Sequence, residues 1–378
     1  MKMMHKSFLL LTLITLVGCQ SQPTIPGTNR IAAQTTDAPR KDGDLPADGQ
    51  VVASPGNRTT VTPSAKPEPI QLEPLKFDEV IQRGDRLAFI GDDVTQQQFY
   101  VRSFASAMLC LKPHYGLRFF NGGMNGASAT SALEWTDDFL DTAKPTVVFI
   151  CFGLNDGKNL PPSDAVVEQY EKSLALLIDK VKAYKGVREV VVLSAPAVQT
   201  AQVDQLNKAG YNLTLIRLAY SAQTTAALKK VKFVDLYDAM RIVYVEAAKA
   251  GGDMLSIGGR LPTEDAHTVM ASVLMYGLGV TREMMLPISW APLYAPRMGR
   301  VRGALGIPLP EPEYRLAVQS RNIYEKMREF DALFFQAWRL AGPNRTTRSR
   351  ADLLERADAA WFELDTYIRG GYGENGPK

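Results

Sequence analysis

From residue 75 onward the chain alternates two hydrophobic patterns. Short, nearly continuous apolar runs occur at Arg86 to Gly91, Leu117 to Asn121, Thr146 to Gly153, Glu189 to Ser194 and Lys232 to Leu236. Between them, apolar residues recur at helical spacing around Phe99 to Leu111, Ala129 to Leu140, Ala165 to Tyr184 and Val203 to Leu228. Runs apolar on both sides fit strands buried on both faces, and the helical stretches fit crossovers. The pattern predicts a three-layer α/β/α domain over residues 75–286, built on a five-stranded parallel sheet. Such sheets bind ligands beyond the carboxyl ends of their strands, so the segments that follow the strands are where chemistry is expected.

The flanks read differently. Residues 19–74 are rich in Pro, Thr, Ser, Gly and Asp with no apolar period, so they cannot bury enough surface to offset their ordering entropy. They are expected to form a disordered tether with a coil dimension of about 40 Å. Residues 287–378 open with six prolines between Pro287 and Pro312, an irregular excursion. Two helical patterns follow. Glu313 to Leu340 carries the stripe Ile323, Met327, Phe330, Phe334 and Trp338, and Ala351 to Ile368 carries Leu354, Ala357, Trp361, Leu364 and Ile368. These stripes are expected to pack on the main domain or on each other, and the sharper alternative is a module that binds a protein partner or acts as a lid.

The N-terminus sets the compartment. Lys2, His5 and Lys6 precede an apolar stretch from Phe8 to Val17, too short to span a bilayer as a helix, which reads as a signal peptide over residues 1–18. Leu16-Val17-Gly18-Cys19 resembles the bacterial lipobox, which implies lipidation of Cys19 and a lipid-anchored protein of the bacterial cell envelope, in the outer membrane or periplasm. Losing Lys2 and Lys6 with the signal takes the net charge from +3 to about +1. So balanced a surface gives no reason to expect nucleic acid as a partner. Cys110 and Cys151 then remain, in a predicted helix and a central strand, and read as buried thiols rather than a disulfide.

Four segments carry candidate chemistry. Leu87 to Ile90 runs into Gly91-Asp92-Asp93-Val94-Thr95; Asn121-Gly122-Gly123-Met124-Asn125-Gly126 follows the second apolar run; Gly153-Leu154-Asn155-Asp156 follows the third; and Glu264-Asp265-Ala266-His267 lies near the end of the domain. Each alone fits turn or capping geometry. Together, and in this order, they resemble the blocks of the SGNH or GDSL hydrolases, in which Gly-Asp-Ser supplies the nucleophile. Here Asp93 stands where that family has serine.

The resemblance implies oxyanion donors at the Gly123 N–H, the Asn155 side chain and the backbone N–H of residue 93. It also implies His267 as general base, oriented by Glu264, or by Asp265 if the loop is one residue shorter. His114 reads as an exposed loop residue without a role. Ser128 and Thr95 fit capping positions better than nucleophilic ones. With so few histidines the chain lacks the ligand set of a two-metal hydrolase, and no cofactor is expected.

Asp93 is the departure from the pattern. Attack by a carboxylate on an ester gives an anhydride of high free energy, so serine-type hydrolysis is not expected. The residue could attack an alkyl or sugar carbon, act as a base toward water, or belong to a site that only binds. The expected function is a hydrolase-like envelope lipoprotein acting on ester bonds of a small acyl or acetylated-carbohydrate substrate. The alternative is a catalytically inactive member of the fold that recognises a glycan or an envelope protein.

Overall fold

The computed structural model describes residues 75–199, 210–249, 255–280, 314–339 and 347–371. The signal peptide, Cys19, the tether and the proline-rich excursion lie outside the described residues. Backbone contacts divide the chain after Lys66, and all of the described residues lie in the second unit, residues 67–378.

Five parallel strands, β1 (Arg86–Gly91), β2 (Arg118–Gly123), β3 (Val147–Phe152), β4 (Glu189–Ser194) and β5 (Lys232–Val234), form one sheet in the order β2-β1-β3-β4-β5. All six residues of β3 are buried, as a central strand covered on both faces must be. The helices of the sheet domain are α1 (Phe77–Val80), α2 (Asp93–Gln96), α3 (Phe99–Leu111), α4 (Ala129–Ala143), α5 (Asp164–Ala183), α6 (Tyr211–Leu228) and α7 (Tyr237–Lys249). After a short antiparallel pair, β6 (Ser256–Ile257) and β7 (Leu261–Pro262), come α8 (Glu264–Gly277), α9 (Tyr314–Arg339) and α10 (Thr347–Gly371). The five-stranded flavodoxin-like sheet with a C-terminal helical extension is the architecture expected from the pattern.

The chain leaves β1 toward β2 and then crosses back through α4 to β3, so right-handed crossovers put α3 and α4 on opposite faces. Accordingly α3 packs on α8 and α9, while α4 packs on α5 and α5 on α6. The reversal of direction between β1 and β3 makes the cleft between their carboxyl ends the topological switch point, the usual ligand position in such sheets. Asp93 follows one of these strands and Asn155 the other.

The C-terminal helices belong to the core of this unit. Ile323, Met327, Phe330, Phe334 and Trp338 are buried, as are Ala357, Trp361, Leu364 and Ile368. Phe334 meets Phe120 of β2 with ring centres 4.9 Å apart, so α9 closes the β2 edge of the sheet. Arg102 on α3 donates to Asp331 on α9 at 2.8 Å, an ion pair only 7% and 6% exposed. Cys110 and Cys151 are both buried and not joined by a disulfide. Ser128 caps α4 in a reciprocal capping box with Ser131.

Candidate functional site

The turn after β1 is drawn tight by its own sequence. A side chain at Gly91 would stand 2.1 Å from Thr95 Oγ1, so only glycine lets α2 fold back on the strand end. Asp92 caps α2 by accepting from the Val94 N–H at 3.0 Å. Its carboxyl is buried and pushed up to about 8, chiefly by desolvation and further by the neighbouring Asp93 and Asp156. Burial thus favours the neutral form of Asp92, while the Asp93 side chain, 11% exposed, lies beside Arg260.

Asp93 Oδ2 accepts from the Gly126 N–H at 2.9 Å and from Asn155 Nδ2 at 2.5 Å. Asn155 is itself fixed on both sides, donating to the Ala127 carbonyl at 2.8 Å and accepting from Arg260 Nη2. The Arg260 guanidinium also reaches Asn159 Oδ1 at 3.2 Å and lies 3.9 Å from Asp93 Oδ1. Arg260 sits in the β6–β7 connection, where Gly258 and Gly259, at φ of +59° and +75°, permit the tight reversal that brings the guanidinium to Asn155 and Asp93. Asp156 is buried and turned to α4, where it accepts from the Ala129 N–H at 3.0 Å, and burial raises its carboxyl to about 6.

The structure assigns different surroundings to three of the expected site residues. The Gly123 N–H is not open to a ligand, because it donates to Asn121 Oδ1 at 2.8 Å. A Cβ at Gly123 would lie 2.1 Å from the Gln96 nitrogen, so this glycine serves the close approach of α2 to β2. Gly126, three residues later in the same segment, presents its N–H to Asp93 instead.

His267 lies on α8, fully buried against α3. Its ring stacks on Tyr100 at 5.9 Å and meets Phe99 edge-on at 5.5 Å. Nε2 pairs with Gln97 Oε1 at 2.8 Å, Nδ1 has no hydrogen-bond partner, and burial alone pushes the imidazole down to about 3. Glu264 is exposed on the first turn of α8 and accepts from the Tyr324 hydroxyl of α9 at 2.7 Å, while the Asp265 carboxyl is raised by partial burial and by Glu264. The acid and base pair expected of Glu264 or Asp265 with His267 is thus not formed. The helix that carries all three turns the imidazole into an aromatic core and Glu264 outward.

Sequence reasoning missed Arg260 and gave Gly126 no role. The signal for Arg260 was Gly258-Gly259 shortly before a proline, which marks a tight reversal but not where it points. His114 is exposed in the loop between α3 and β2, as expected. Among the described residues no cluster of three or more His, Cys, Asp or Glu side chains is arranged to hold a metal ion.

The five-stranded flavodoxin-like sheet brings an asparagine amide and a glycine N–H together on Asp93 at its switch point. Residues 89–250 match the GDSL-like lipase/acylhydrolase family. Among solved structures, the gut microbial diltiazem-metabolizing enzyme BT4096 is similar with a TM-score of 0.59 at 18% identity, over 81% of this chain and 98% of its own. The acetylxylan esterase Axe2 from Geobacillus stearothermophilus matches at 20% identity with a TM-score of 0.43, over 53% of this chain and 96% of its own. These likenesses concern the fold. No curated protein matches the chain.

Proposed function

We propose that this lipase/acylhydrolase domain binds an ester-bearing ligand, an acyl ester or an acetylated carbohydrate, at the Asp93 cleft, and that the acyl-serine route is closed to it. One observation carries the reading: Asp93 Oδ2 already takes the hydrogen bonds of Gly126 and Asn155. An oxyanion formed at a substrate carbonyl needs those donors, and a resident anionic oxygen holds them. Arg260 adds a cation over the same cleft without offering a general base.

Hydrolysis by water with Asp93 as base is the second reading. Its basis is Asp93 Oδ1, which lies 3.9 Å from Arg260 Nη1 while Oδ2 takes the bonds from Gly126 and Asn155. The deciding experiment compares the full chain with Asp93→Asn and Arg260→Gln on 4-nitrophenyl acetate and on acetylated xylo-oligosaccharides. Saturable binding of the oligosaccharide with no turnover supports recognition alone. Turnover abolished by Asp93→Asn supports the water route, and turnover unchanged by it removes this cleft from the chemistry.

The same proposal sets the domain on a bacterial envelope membrane through Cys19, on the strength of the lipobox-like sequence. Cys19→Ser is expected to release the protein from the membrane fraction and to remove the lipid mass from its N-terminal peptide.

A further inference from the structure

The end of the sheet opposite Asp93 holds a second concentration of charge. β1 and β2 begin side by side at Arg86 and Arg118, which are register partners. A cavity of about 560 Å³ opens there, between the strand starts, the end of α4 and the α9–α10 pair. The length of β1, at about 3.3 Å per residue, sets it on the order of 16 Å from the Asp93 turn.

Its walls carry four cations, Arg86, Arg118, Lys144 and Arg350, against two carboxylates, Asp141 and Asp358. The guanidiniums of Arg86 and Arg118 both lie over the Phe120 ring, at 4.5 and 5.5 Å from its centre. Asp358 answers Arg118 through one bond at 2.6 Å, but its own side chain is 68% exposed and well hydrated. Arg86 uses its donors on the Ala143 and Lys144 carbonyls, and Arg350 reaches Thr142 Oγ1 at 2.6 Å. The Nε–H groups of Arg118 and Arg350 are buried with no hydrogen-bond partner, a state that native proteins seldom leave unanswered. Burial, with Arg118 adding to it, holds the Arg86 guanidinium down at about 10, as expected where positive charge exceeds its counter-charge.

We propose that this cavity is a binding site for a phosphate monoester with an apolar or aromatic body. The excess of two positive charges matches the charge of a phosphate monoester, which approaches −2 at neutral pH. Guanidinium forks match phosphate oxygens in geometry. Phe330, Phe334 and Leu354 supply an apolar wall for the remainder of the ligand. A monocarboxylate would leave one positive charge unmatched. The site shares no residue with the Asp93 cleft, so it stands whatever that cleft does.

Calorimetric titration of the full chain with phenyl phosphate, inorganic phosphate and benzoate tests the assignment. Phenyl phosphate is expected to bind and to raise Tm, inorganic phosphate to bind more weakly and benzoate most weakly. Arg350→Gln, a partly exposed position at the start of α10, and Arg118→Gln should each weaken phenyl phosphate roughly ten-fold, the loss of one charge-assisted pair. Asp93→Asn should leave its binding unchanged. Flotation with phosphatidic acid vesicles that is lost in Arg350→Gln supports the same phosphate site with a lipid as its source. Absence of saturable binding at millimolar phenyl phosphate, full affinity in a folded Arg350→Gln protein, or benzoate binding as tightly as phenyl phosphate overturns it.

Discussion

Asn155 donates its side-chain amide to the Asp93 carboxylate at 2.5 Å, so a residue that would polarise a substrate carbonyl is engaged within the protein. Asp93 thereby satisfies the site electrostatically while occupying it. An incoming ester carbonyl must displace that oxygen or bind beside it. Arg260, held on Asn155, keeps the carboxylate in place.

Restoring the alcohol alone is therefore expected to fail. Asp93→Ser frees Gly126 and Asn155 but provides no base, because the imidazole of His267 is committed to Gln97 and the aromatic core. Stopped-flow measurement with 4-nitrophenyl acetate should show no burst of nitrophenol. A burst of one equivalent would mean that a base reaches residue 93 and would refute this account.

His267 should behave as a core residue. His267→Ala leaves a cavity between α3 and α8 and should cost about 2–4 kcal/mol of stability, read by urea denaturation. Its imidazole is depressed from 6.5 to about 3 by burial. Below pH 6.5 the unfolded chain takes up a proton that the folded chain refuses. The contribution of His267 is present above pH 6.5 and is lost as pH falls toward about 3. His267→Gln should therefore flatten the loss of Tm across that window, and an unchanged acid profile would contradict the burial argument.

Asp92 carries the opposite sign. Its folded carboxyl is raised from 3.8 to about 8, chiefly by desolvation, so the folded chain holds a proton that the unfolded chain releases. Its contribution is present below pH 3.8 and is lost as pH rises toward 8. Asparagine keeps the capping oxygen for Val94 and removes the titration. Asp92→Asn is expected to gain at least about 1 kcal/mol relative to the parent between pH 5 and pH 9, measured by thermal unfolding at both. A difference that does not change with pH would place the charged form in the folded state.

The buried pair between α3 and α9 ties the C-terminal helices to the sheet domain. Asp331→Ala strands the Arg102 guanidinium without its counter-charge, although Gln98 Oε1 at 2.7 Å and Tyr324 remain beside it. The expected cost is about 3–5 kcal/mol. Limited proteolysis should then cut α9 and α10 first. Arg102→Met with Asp331→Leu should recover most of the loss, since no charge is left buried. Failure of that double variant to recover would assign the pair a role beyond neutralisation.

Strand positions were legible because a central strand must be apolar on both faces. Arg86–Gly91 and Glu189–Ser194 fall where the pattern put them, and β2 extends past its predicted end only to Gly123. The stripes of α9 and α10 were legible for the same reason. Hydrogen bonds across the fold were not. Gly123 and Gly126 are both glycines after a strand, and only the positions of Asn121 and Asp93 decide which N–H is engaged by the core and which meets the cleft.

The sequence by itself determined the alternation of strands and crossovers, the parallel sheet this imposes and the acidic residue after β1, since periodicity and residue identity are local properties. Tertiary structure alone decided that the imidazole at 267 packs against Tyr100, that Glu264 turns to Tyr324, and that Arg260 and Asn155 close around Asp93. Those outcomes depend on the face each helix presents and on where a glycine hairpin reverses. Asn155 and Arg260, 105 positions apart along the chain, meet there for no reason that either segment contains alone.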